Sequence, residues 1–337
     1  MEFDIEKFEG GAFEGKRSPK EFEYSEVMAC GAAPAVVDWD AGYDSEEDLG
    51  FKLKHENQGG SGSCVAQTAS KVGEGINFVE TGQLEDFSAR RIYSNIFLSG
   101  GGAFTEEAAK WAVNKGFIYE KTVPSYFPDG SSPTEDFMRE KVPLTELELA
   151  IEKVFASKLY FWCRNIDEVA SAILNYKFVI MSATGENPGW KTGDLIPPVN
   201  EKWGHAFVGK AFKRKNNPNT NTIMKAIKIH NSWSESWGYN GDGWLYENYF
   251  EAGQVHFSLA LIDKENLKTM GTNIKLVKTA NNTAVYLTGI GDEKFHPILT
   301  GKIALDLFGK SWEEMNIEIV ESIPEEKIGY LIGGIVS

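Results

Sequence analysis

Cys64 is the residue here best placed to do chemistry. Asn57-Gln58-Gly59-Gly60-Ser61-Gly62-Ser63 leads into it, and beyond it the apolar positions Val65, Ala69, Val72 and Ile76 recur at steps of four, three and four. That spacing predicts a helix packed on one face. The Gly-Ser turn offers Ser63 as a cap, so Cys64 is expected at a helix amino terminus. Unpaired N–H groups there favour negative charge, and a neighbouring imidazolium adds to the effect, so a thiol at such a place ionises readily. An activated thiolate can open an acyl bond once three further jobs are filled: a base, a group orienting the base, and donors for the oxyanion. The plain alternative is a small buried hydrophobe, the ordinary fate of a free cysteine; the glycine-rich approach argues against it. With Cys30 and Cys163 the chain has three widely spaced cysteines, neither a disulfide framework nor a metal set. The five histidines do not cluster in sequence, and no cofactor is expected.

Gln58, six positions before Cys64, and Gly62-Ser63-Cys64 itself resemble the nucleophile loop of papain-like (C1) cysteine peptidases. Gly204-His205-Ala206-Phe207-Val208-Gly209, 141 residues after Cys64, is similar to that family's histidine strand. Ile229-His230-Asn231-Ser232-Trp233, continued by Trp237 to Trp244, is similar to its Asn-Ser-Trp segment. The resemblance implies Cys64 as nucleophile, His205 as base, Asn231 as the group fixing the imidazole, and Gln58 as an oxyanion donor with the backbone N–H of Cys64. It also implies an endopeptidase working on extended polypeptides through a thioester. A neutral amide suits a thiolate–imidazolium pair because no buried carboxylate is needed. Two departures stand out. Ser61 replaces a disulfide cysteine of most secreted members, and Val65 replaces the aromatic residue after the nucleophile.

The same resemblance marks a substrate cleft. Ser99-Gly100-Gly101-Gly102-Ala103-Phe104 is similar to the glycine strip that pairs with extended backbone, with Gly101 and Gly102 in that role. Trp203, Ala206 and Met181 are expected to line the main specificity pocket, and Trp233 to shield the His205–Asn231 bond and form the other side of the cleft. The resemblance covers roughly residues 36–262. It implies an α+β, two-lobed papain-like fold with a helical lobe and an antiparallel, barrel-like lobe. The patterning agrees. Helices are predicted near 86–97, 105–115 and 166–175, and strands at Ala206–Val208, Ile223–Ile229 and Trp244–Tyr246. Lys213–Thr222 reads as a polar loop.

Three segments follow: an acidic leader at 1–35, the papain-like body at 36–264, and a small accessory α/β module at 265–337. The formal net charge is −15, and residues 1–48 carry 14 acidic and 4 basic side chains. A chain so charged is no nucleic-acid binder. The leader is too short for a helical prodomain, which leaves two readings: a disordered, solvated acidic tail, or, as its aromatic residues Phe3, Phe8, Phe13 and Phe22 suggest, a segment lying along the cleft and inhibiting it. The module shows no catalytic motif, and docking to a partner is its default role. No run is long enough to span a membrane, and the acidic amino terminus lacks a secretory signal, so the chain is expected in the cytoplasm, with a virion or surface association open. The competing function is a non-catalytic scaffold of the same fold.

Overall fold

A computed structural model gives the structure and describes residues 11–13, 22–23, 37–157, 159–185, 189–195, 203–218, 220–262, 275–280, 285–288, 296–298 and 317–323. The body begins with short strands β1 (Ala12–Phe13), β2 (Phe22–Glu23) and β3 (Tyr43–Asp44) and the helices α1 (Ser45–Leu49), α2 (Cys64–Thr81) and α3 (Ala89–Ile96). Then come β4 (Ala103–Phe104), α4 (Thr105–Asn114), α5 (Glu135–Arg139) and α6 (Glu146–Val154). The second half is mainly strands: β5 (Leu159–Trp162), α7 (Ile166–Tyr176), β6 (Val179–Gly185), α8 (Gly189–Thr192), β7 (Asp194–Leu195), β8 (Trp203–Asn216), β9 (Ile223–His230), β10 (Asp242–Tyr246), α9 (Glu247–Glu251) and β11 (Val255–Ile262).

The apolar stripe of α2 does what its spacing requires: Val65, Ala69, Val72 and Ile76 are all buried. Ser63 stands at its N-cap position but does not cap; its hydroxyl bonds the Ser61 hydroxyl at 2.7 Å instead. The polar stretch from Lys213 also departs from expectation. Strand β8 runs on to Asn216, paired antiparallel with β9 out to Ile223, and the turn is confined to the residues between. Lys213, Arg214 and Asn216 are exposed there while the backbone ladder continues.

A nine-stranded sheet runs β2-β5-β11-β6-β8-β9-β10-β7, with β3 added beside β8. Its pairs are antiparallel except for the short end strands β2 and β7. Strand β8 is the seam of the molecule. Trp203, His205 of the aromatic side and Phe207 face a core with Ile173, Met181, Ile227 and Trp233. Ala206 and Val208 face a second core with Cys64, Val65, Ile92 and Ala108. A strand buried on both faces carries apolar residues on both, as Ala206, Phe207 and Val208 do, while its buried polar members His205 and Lys210 are held by Asn231 and by Glu46 and Asp242. Those two cores are the two lobes.

Towards the carboxyl end a separate four-stranded sheet is described, ordered β14 (His296–Ile298), β13 (Val285–Thr288), β12 (Lys275–Thr279), β15 (Ile317–Val320). Strand β12 pairs antiparallel with β13 and parallel with β15. The sequence's Tyr330-Leu331-Ile332, read as a closing strand, lies outside the described residues, as do Cys30, Phe3 and Phe8. Among the described residues no helix is long and apolar enough to cross a membrane.

Candidate active site

The loop before α2 is tied to the loop after β9, which brings two distant motifs together. Asn57 forms an isolated bridge with Trp233, and the Gln58 N–H donates to Ser232 O at 2.9 Å. The Ser232 hydroxyl donates to Gln58 Oε1 at 2.6 Å, and Gln58 Nε2 donates to Ser61 O at 2.8 Å. The buried Gln58 amide is thereby fixed at both ends. Cys64 follows at the first position of α2, fully buried.

His205 enters from β8. Its Nε2–H donates to Asn231 Oδ1 at 2.7 Å, and the same oxygen accepts the Ser232 N–H at 2.8 Å. The Trp233 ring lies over the imidazole with centroids 4.3 Å apart, and Trp190 and Trp203 stand edge-on at 5.8 and 6.4 Å. Burial drives the His205 pKa down to about 3, against the bond from Asn231, which acts to raise it. Burial pushes the Cys64 thiol up to about 12, while the N–H groups of Ala206, Val65 and Cys64 itself pull it the other way. The sulfur thus lies against the amide of the residue that follows His205. Both groups are held neutral, since a low-dielectric site penalises each charged form.

The leader runs over the thiol and beside the histidine strand. The Gly11 N–H donates to Gly204 O at 3.0 Å, the Gly11 carbonyl accepts the Ala103 N–H at 2.8 Å, and β1 pairs parallel with β4 as Ala12↔Ala103. A Cβ on Gly11 would stand 2.8 Å from Cys64 Sγ and collide with the Gly62 carbonyl, so only glycine passes the nucleophile here. A Cβ on Gly102 (φ +71°) would strike the Gly11 carbonyl at 2.6 Å and the Phe13 ring. Gly102 is therefore at the strip where backbone approaches backbone; Gly101 (φ +93°) instead backs onto the Glu135 and Arg139 side chains.

The expected pocket set is divided. Met181 pairs opposite Phe207 and packs on that residue's side of the sheet, with Trp203 and the aromatic residues around His205. Ala206 points to the other side, with Cys64. Alternation along β8 forbids 203 and 206 from sharing a face, so Trp203 and Met181 are core residues rather than partners of Ala206 in one pocket. Several contributors carried no sequence signal. Ser232 sits inside the recognised motif, but Tyr93, Glu135 and Trp190 reach the site only through tertiary packing. Gly11 likewise carried no signal of its place over the thiol.

One potential metal set exists among the described residues. His55, His230 and Asp242 present ligand atoms within 4.8 Å of one another. The Lys210 ammonium, however, lies 2.8 Å from Asp242 Oδ1, and the two imidazoles stack at 3.9 Å and 17°. Stacked rings direct their lone pairs in parallel rather than toward a common centre, and the carboxylate already holds a cation. The cluster is an ion-pair network of the β8–β10 strands and supplies no metal chemistry.

No family model matches this chain. It is 27% identical over 237 residues to papain of Carica papaya, covering 68% of this chain and 61% of that protein. The chain thus spans less than two thirds of the length of that relative. Among solved structures, procathepsin L2 of Tenebrio molitor superposes with a TM-score of 0.58 at 16% identity, covering 77% of this chain and 79% of the other. Xylellain, a cysteine protease from Xylella fastidiosa, superposes at 0.57 and 16% identity, covering 76% and 97%. The fold is papain-like. Sequence and fold agree on one resemblance, to the papain-like cysteine peptidases of the C1 type.

Proposed function

We propose that this chain is a cysteine endopeptidase held inactive by its own leader. The observation carrying the reading is the Asn231–His205 hydrogen bond, built beside a helix-start thiol and a Gln58 amide locked by Ser232. In the open enzyme His205 Nδ1 takes the Cys64 proton, since Nε2 is engaged by Asn231. The thiolate attacks the substrate carbonyl carbon, forming the C–S bond, while Gln58 Nε2–H and the Cys64 N–H receive the oxyanion. Collapse breaks the C–N bond and His205 gives its proton to the leaving amine. Water then attacks the thioester, His205 takes its proton, and the carboxylic acid leaves as the thiol is restored.

The leader crosses this site without presenting a bond to be cut. The Gly11 carbonyl, beside the nucleophile, is engaged by the Ala103 N–H. Trp233 covers the imidazole and keeps water from the Asn231 bond.

The test is labelling of the full chain with a thiol-directed epoxide, with peptide-library hydrolysis in parallel. Wild type should label slowly, G11L rapidly, and a Cys64→Ala variant of G11L not at all; library cleavage should follow the same order. A G11L chain that neither labels nor hydrolyses any peptide favours the scaffold and ends the peptidase reading.

A further inference from the structure

Three polar contacts converge on one carboxylate between the nucleophile loop and the cleft wall, and a fourth extends from one of its donors. Glu135 Oε2 accepts the Gly62 N–H at 2.7 Å, two residues before Cys64. Glu135 Oε1 accepts the Tyr93 hydroxyl at 2.5 Å and Arg139 Nε–H at 2.7 Å. The Tyr93 oxygen in turn accepts the Gly102 N–H at 2.8 Å, on the strip against which the leader lies. Tyr93 is fully buried on α3, and Arg139 braces the carboxylate from the same short helix while lying over the Phe97 ring. Cys64 and Cys163 are both free, so among the described residues no disulfide fixes this loop.

We propose that Glu135 is the positioning residue of the site: through Gly62 it sets where the nucleophile stands, and through Tyr93 it sets the distance between the nucleophile loop and the strip that receives extended backbone. The inference rests on the peptidase reading of the site. A charged acceptor of two backbone-linked donors forms stronger and more directional bonds than a neutral one. A single short helix therefore controls two walls that must move together. Removing one bond should shift one wall and leave the other. The carboxylate also stands near enough to the thiol to oppose its ionisation, and Arg139 and Tyr93 are the other titratable groups packed against it.

The experiment uses the full chain carrying G11L, with Glu135→Gln and Tyr93→Phe added separately. A glutamine can accept one N–H but turns its own NH₂ toward the other donor. E135Q is expected to lower kcat/KM about tenfold or more through misplacement of the sulfur. It should also move the midpoint of Cys64 alkylation by iodoacetamide to lower pH, because a negative charge has left the thiol's surroundings. Y93F is expected to raise KM several-fold while kcat and the alkylation midpoint stay with the parent, because it cuts the hydroxyl's ties to Gly102 and Glu135 but leaves the Glu135–Gly62 bond and the carboxylate charge in place. Variants that lose thermal stability but keep the parent's KM and alkylation profile overturn the proposal. Should E135Q fail to fold, an unchanged KM in Y93F overturns it alone. Should the G11L parent hydrolyse nothing, the peptidase reading falls separately, and the alkylation midpoint of E135Q still decides whether Glu135 positions the thiol.

Discussion

Cys64 and His205 are pushed in opposite directions by one cause, burial, to which the leader contributes over the thiol, and that pairing decides how pH acts on the covered state. The thiol is raised to about 12, so covering favours its protonated form; this stabilisation holds below the open-state thiol pKa and is lost as pH rises toward 12. The imidazole is lowered to about 3, so covering favours its neutral form; this stabilisation holds above the ordinary value near 6.5 and is lost as pH falls toward 3. In the open state, however, the two groups share one proton as a thiolate–imidazolium pair, and the covered state also holds one proton, on sulfur. Opening then moves a proton without taking one up. Leader release in the wild type should be flat between roughly pH 5 and 8, where the ion pair persists. In Cys64→Ser no thiolate exists, and opening must bind a proton on His205. Release should therefore grow by about tenfold per pH unit below 6.5. The populations of the Ala103 amide, which is bonded to Gly11 only in the covered state, measure both by NMR. A wild-type chain with the steep acid dependence of the serine variant would mean that no ion pair forms.

Helix α2 carries a second device besides its amino terminus. Lys71 Nζ donates to Glu56 Oε1 at 3.1 Å and to both Glu74 oxygens at 2.9 and 3.0 Å, with Asp86 at 3.7 Å, all but Asp86 nearly dry. Burial alone would lower the Lys71 pKa, but the carboxylates of Glu74, Glu56 and Asp86 outweigh it and hold the ammonium charged. Burial conversely pushes Glu74 up; with an ammonium at 2.9 Å the charged pair is the state we adopt. Glu56 stands two residues before Gln58, so this pair ties the helix to the loop that carries the oxyanion donor. Lys71→Met should cost about 3–5 kcal/mol in urea unfolding, since it leaves the buried Glu74 carboxylate without a cation while Glu56 keeps Lys54, and adding Glu74→Leu should return part of that loss. Additive destabilisation by the two changes would show that they do not interact. These elements were legible to different depths. The period of α2, with Cys64 at its start, and the apolar strands β8 and β9 followed from residue spacing, whereas His205 and Asn231 were marked by the resemblance of their motifs to those of papain-like peptidases. Sequence could not say that Trp203 and Met181 face away from Ala206, because that depends on which face of β8 meets which core. It also could not find Lys71–Glu56, Tyr93–Glu135 or Gly62–Glu135, whose partners lie 15, 42 and 73 positions apart and carry no periodic signal.

At the scale of the whole chain, the leader is bound to its own cleft as a covalently attached segment rather than as a ligand. It makes a short ladder beside β4 at 12–13 and another beside β5, where Phe22 pairs with Phe161. Among the described residues, two backbone bonds at Gly11 and two two-residue pairings are a small contact, below what a free peptide needs to bind tightly. Attachment compensates by fixing the segment's local concentration, of order millimolar for a short connection. Covering should therefore be independent of protein concentration, and G11L should be equally active per molecule from nanomolar to micromolar dilution. A synthetic peptide of residues 1–35, added to G11L, should inhibit only as its concentration approaches the millimolar range. Titrating that peptide against hydrolysis and against epoxide labelling of Cys64 measures the intermolecular affinity directly. Inhibition at nanomolar peptide would mean that the leader's hold comes from contacts far larger than the ladder at β4, and activity that falls as the protein is concentrated would mean that one chain's leader covers another chain's cleft.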